Sequence, residues 1–69
     1  MKKIYRVENL ECANCAAKME REISHLPGVR SASVSFIAQK ITLELDDGVD
    51  VEADIKKICR KIEPDMRFK

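Results

Sequence analysis

The sequence predicts a small α+β domain with elements in the order βαββαβ. Three observations carry this expectation. Apolar residues alternate with polar ones in several short runs. Twice the spacing changes to steps of three and four. Pro, Gly and Asp fall between these patterns. Packing two helices on one face of a four-stranded antiparallel sheet, with the other face in water, is the simplest way to join those apolar faces in one core. At 69 residues the chain is near the lower limit for a self-sufficient core, so one domain spans residues 1–69.

Ile4 to Leu10 reads as the first strand, with Tyr5 and Val7 on one face and Arg6 and Glu8 on the other. From about Asn14 to Leu26, residues Ala16, Met19, Ile23 and Leu26 form a helical stripe that Pro27-Gly28 ends. Ala32, Val34 and Phe36 alternate with three serines as the second strand. Ile37 to Lys40 is a hairpin turn, and Ile41, Leu43 and Leu45 form the third strand. After the Asp46-Asp47-Gly48 turn, a second helix runs from about Val51 to Ile62 with Asp50 as its N-cap. Pro64 stops it, and Met66-Arg67-Phe68 is a short last strand. The expected core comprises Tyr5, Val7, Leu10, Met19, Ile23, Val34, Phe36, Ile41, Leu43, Ile55, Ile58, Cys59 and Phe68.

Composition narrows the function. Charged residues make up 36% of the chain but the formal net charge is only +1, which disfavours nonspecific attraction to nucleic acid or membranes. The outer sheet face carries Arg6, Glu8, serines, Thr42 and Glu44, unlike an aromatic RNA-binding platform. No run reaches the ~18 apolar residues of a membrane span. Met1-Lys2-Lys3 opens like a signal peptide, but Tyr5 to Asn9 interrupts the apolar region such a peptide needs. The chain therefore reads as a cytoplasmic monomer whose thiols stay reduced. Three cysteines also do not make a paired disulfide framework.

The chemistry concentrates in Asn9-Leu10-Glu11-Cys12-Ala13-Asn14-Cys15. Two thiolates at this spacing can close on a soft metal ion or on each other as a disulfide. At the start of a helix, exposed N–H groups and the positive dipole end favour thiolate. A thiol–disulfide oxidoreductase is thus a rival to a metal-binding module. Against it stand the βαββαβ order, the absence of Trp, and Ala13-Asn14 between the cysteines where a Pro would be expected. A structural zinc finger would need a second ligand pair, which the chain lacks.

This stretch, followed by a helix and then Pro27-Gly28-Val29, resembles the heavy-metal-associated domain family over essentially the whole chain. The resemblance implies a ferredoxin-like fold, as in copper chaperones and the N-terminal domains of metal-transporting P-type ATPases. It also implies Cys12 and Cys15 as metal ligands. Leu10 stands where the family usually has Met and is close to it in volume. Asn9 replaces Gly and is among the residues that adopt positive φ.

Glu11 stands where copper(I) members usually carry Thr and zinc, cadmium or lead members often carry Asp. A hard carboxylate suits a divalent ion better than soft copper(I), so Glu11 is a possible third ligand, with an exposed surface acid as the alternative. Asp65, in the family's last loop near the metal, is a further candidate oxygen. Cys59 sits on the apolar face of the second helix and reads as core. His25, ten residues beyond Cys15, lies about 15 Å along the helix and is too far to ligate.

The implied function is to bind zinc, cadmium or lead, with copper(I) possible, and to pass the ion on by ligand exchange without catalysis by the domain itself. Glu11 and Pro64 favour an excised N-terminal piece of a zinc-, cadmium- or lead-transporting P-type ATPase over a free chaperone. Its partners would be the other ATPase domains or a metallochaperone.

Overall fold

The computed structural model describes residues Met1–Lys69. Its elements are β1 (Lys2–Glu8), α1 (Ala13–Ser24), β2 (Val29–Ser35), β3 (Lys40–Leu45), α2 (Glu52–Ile62) and β4 (Arg67–Phe68). The four strands form one antiparallel sheet in the order β2-β3-β1-β4. The expected fold class is observed.

The strand register aligns the apolar faces. Tyr5 and Val34 both pair with Ile41, Ala32 pairs with Leu43, and Val7 pairs with Phe68. The alternate positions place Arg6 opposite Lys40 and Ser33 opposite Thr42 on the other face. From the helices, Ala16, Met19, Ile23, Ile55 and Cys59 complete a core shared with Val7, Leu10, Ile41, Leu43, Leu45, Val51 and Met66. Tyr5, Val34, Ile58 and Phe68 are half-buried and pack against it.

Three details differ from the sequence reading. Phe36 is exposed because β2 ends at Ser35, and the chain then reverses through a turn in which Gln39 takes φ 54°. Leu10 is buried but lies beyond β1, which ends at Glu8; Asn9, at φ 65°, turns the chain before it. At α2 the boundary position belongs to Val51, whose side chain makes no capping bond. Asp50 still acts there, accepting from the Glu52 N–H at 3.0 Å. Glu52 and Asp54 in the first turn and Arg60 and Lys61 in the last complement the helix dipole.

The turn after α1 depends on Gly28. It holds φ +86°, and an added Cβ would lie 2.6 Å from Val49 Cγ2. Gly28→Ala therefore combines backbone strain with overpacking and should destabilise the domain by about 1–3 kcal/mol. Chemical denaturation would check this, and a change below about 0.5 kcal/mol, within the usual range for surface substitutions, would contradict it.

Candidate metal centre

The candidate site begins where β1 stops. Asn9 takes the left-handed conformation that Asn tolerates better than most residues. Its Nδ2 donates to the Asp65 backbone carbonyl at 3.4 Å, tying the loop to the turn after α2. Leu10 then drops into the core at 1% exposure and plugs the underside of the loop. Its N–H donates to Gln39 Oε1 at 3.1 Å, and its carbonyl accepts from Gln39 Nε2.

Two residues later Cys12 caps α1. Its extended backbone, φ −121° and ψ 117°, suits an N-cap, and its Sγ accepts from the Cys15 N–H at 3.2 Å. The sulfur thus fills the role usually taken by a Ser or Asp oxygen. No acidic residue occupies the first turn of α1, so the Cys12 sulfur is the group placed to meet the positive helix end. Both cysteines are half-buried, and neither is in a disulfide.

The two thiols are not equivalent. Hydrogen bonds from the Cys15 thiol and backbone N–H lower the Cys12 pKa, with a smaller contribution from the Asn14 N–H. Cys15 is pushed up to about 11, first by its hydrogen bond to Cys12 and then by burial, by the Cys12 charge and by Glu63. The helix start thus favours thiolate at Cys12, whereas the sequence reading expected it at both positions. Cys12 is therefore the thiol that gives up its proton first, and Cys15 keeps its proton longest. A cation bound by both sulfurs must displace the Cys15 proton, so its affinity depends on pH.

Glu63 is the acid that reaches this pair: its charge raises the pKa of both cysteines, and its effect is stronger on Cys15. The sequence dictates its position. A residue before proline is pushed out of the α region, and Glu63 precedes Pro64. It adopts φ −137° and ψ 84° and ends α2, while its N–H donates to the Cys59 carbonyl at 2.7 Å. The sequence points to Pro64 and Asp65 in this loop and not to this acid. Its one local signal is an acid immediately before a helix-ending proline; that the end of α2 lies beside the cysteine loop is a tertiary contact.

The other candidates fall elsewhere. Glu11 is exposed and takes part in none of the three salt bridges. Asp65 is exposed, and it meets the loop through its backbone carbonyl. Cys59 is 1% exposed in the core, where burial pushes its thiol up to about 11. His25 is the exposed C-cap at the far end of α1. No cluster of three or more His, Cys, Asp and Glu donors is preassembled, so the dithiol stands as a two-sulfur site with one carboxylate beside it.

Known proteins share this sequence and shape. Over 42 residues the chain is 52% identical to a probable cadmium-transporting ATPase of Listeria monocytogenes, covering 61% of this chain and 6% of that protein. Over 53 residues it is 38% identical to a cadmium, zinc and cobalt-transporting ATPase of Helicobacter pylori, covering 77% of this chain and 8% of that protein. The chain therefore spans less than a tenth of the length of these two relatives. The structure of the CopZ metallochaperone superposes with a TM-score of 0.79 at 20% identity, covering all of both chains, a likeness of fold. Residues 4–69 match the heavy-metal-associated domain as a unit, from β1 through the cysteine loop to the last strand, and the chain belongs to that family.

Proposed function

We propose that this domain binds a soft or borderline divalent ion, zinc, cadmium or lead, through Cys12 and Cys15, and passes it on by ligand exchange. Glu63, in preference to Glu11 or Asp65, supplies the neighbouring oxygen. The carrying observation is the approach of the Glu63 carboxylate to the dithiol, near enough to raise the pKa of both cysteines, which brings a hard donor to the soft pair. Two thiolates neutralise a divalent ion and leave it coordinatively unsaturated, so an oxygen adds binding. The same oxygen gives soft copper(I) little. Open coordination positions also give an incoming ligand somewhere to attach before the first thiolate leaves.

In a whole protein, the domain would serve as the cytosolic N-terminal part of a P-type ATPase exporting such ions. The matched ATPases of Listeria and Helicobacter support that reading. No helix of the structure is long and apolar enough to cross a membrane, so the domain itself would contribute metal capture and transfer, not the transport path. Its partners would be the remaining ATPase domains or a metallochaperone.

A second reading, a free copper(I) chaperone, draws on the absence of a preassembled third donor, because copper(I) is content with two thiolates. Anaerobic competitive titrations separate the two. Glu63→Gln should weaken zinc and cadmium binding by on the order of 1.5–3 kcal/mol, taking hydrogen bonds to charged groups as the scale, and leave copper(I) little changed. Glu11→Ala is the comparator. A divalent-selective loss there, with none at Glu63→Gln, would return the oxygen to Glu11. Equal losses for copper(I) and zinc at Glu63 would mean the acid shapes the loop without choosing the ion. A thiol–disulfide role would instead appear as catalysed exchange by the metal-free dithiol.

A further inference from the structure

We propose that Gln39, on the turn between β2 and β3, is the positioning residue of the cysteine loop. It would hold Cys12 and Cys15 in register for an ion it never touches. The inference rests on the metal-binding reading above.

Leu10 lies after β1 has ended and before α1 begins, so neither the sheet nor the helix supplies partners for its backbone. It is also 1% exposed, which limits access of water to those groups. Buried backbone groups need partners. Gln39 supplies both: Oε1 accepts from the Leu10 N–H at 3.1 Å, and Nε2 donates to the Leu10 carbonyl.

Gln39 is itself held. Nε2 also donates to the Phe36 carbonyl within the same turn, and the Gln39 backbone carbonyl accepts from the Val7 N–H at 3.0 Å. One side chain 29 positions away in sequence thus fixes the residue two before Cys12 to the central strands. A primary amide suits this, because its oxygen accepts and its NH2 donates side by side in one plane, matching the N–H and carbonyl of a single residue, and Asn is one methylene shorter. Gln39 keeps φ 54°, a conformation uncommon for non-glycine residues, in the turn that delivers this amide.

Holding Leu10 limits the conformations the cysteine loop samples before an ion arrives, so less ordering remains to be done on binding. Gln39→Met retains chain length but removes both donor and acceptor. Gln39→Gly removes the side chain and relieves the positive φ. The test compares amide exchange in metal-free wild type and both variants at Leu10 to Cys15 and at the core residues Ile41, Leu43 and Ile55. Zinc competition titrations are run on the same samples.

Both variants should accelerate exchange at the loop by at least tenfold more than at the core, and should weaken zinc by about tenfold, equivalent to about 1.4 kcal/mol. Equal acceleration at loop and core would make Gln39 a general stabilising residue and overturn the proposal. So would unchanged loop exchange, or an unchanged zinc affinity in variants of a protein that binds zinc. If the wild type binds neither zinc nor cadmium, the metal reading and the affinity role built on it fall together. Loop exchange would then still report whether Gln39 holds the backbone.

Discussion

Cys12→Ser and Cys15→Ser should each reduce affinity for zinc, cadmium and copper(I) alike by more than about 100-fold, above the usual 10–100-fold cost of losing a supporting outer-shell partner. Each variant leaves one thiol where the proposed site uses two. The fold should survive, because neither cysteine belongs to the twelve-residue core and Ser is a good N-cap at position 12. Circular dichroism of the metal-free variants should match the wild type, and titrations at fixed pH should show the loss. Retained affinity in either variant would remove that residue from the site. An unfolded metal-free wild type would make the metal structural.

The second large effect lies in the core. Met19→Ala and Ile23→Ala remove side chains at 0% exposure from the face of α1 that packs on the sheet, and each should cost about 2–5 kcal/mol. Single domains are stable by only about 5–15 kcal/mol, and one of this size has little reserve. Urea midpoints should fall sharply for both, with partial unfolding at room temperature as the extreme. A cost below about 1 kcal/mol at either site would mean that the surrounding core closes the cavity.

The contrast between these positions and the site shows what the sequence made legible. Met19, Ile23, Ile41 and Leu43 announce their burial through periodicity, because helix and strand geometry fix which residues share a face. The same rule misleads at Phe36. It continues the β2 alternation, but its conformation is set by the turn to Gln39, and turn geometry is not periodic. Cys12 and Cys15 were legible as a pair because their spacing and the helix start are local. Glu63 was not read from the sequence, although the proline that extends it was noticed. Its meeting with Cys15 requires α2 to end beside the start of α1, a contact no local pattern encodes. Gln39 escaped for the same reason: its partner is 29 positions away, and its role is toward a backbone.

The unequal thiols follow a similar logic. Both cysteines precede or enter α1, and the dipole argument treats them together. The geometry separates them, because Cys12 receives the N–H of Cys15 while Cys15 has no such donor and is raised by burial and by the charges of Cys12 and Glu63. Deprotonation of the second thiol therefore depends on an arriving cation.

X-ray absorption at the zinc edge of the loaded wild-type domain tests the central claim most directly. The account predicts two sulfurs at about 2.3 Å and oxygen scatterers at about 2.0–2.2 Å, with no further sulfur. Four sulfurs, from two copies sharing an ion, or a shell of oxygen and nitrogen without sulfur, would contradict it.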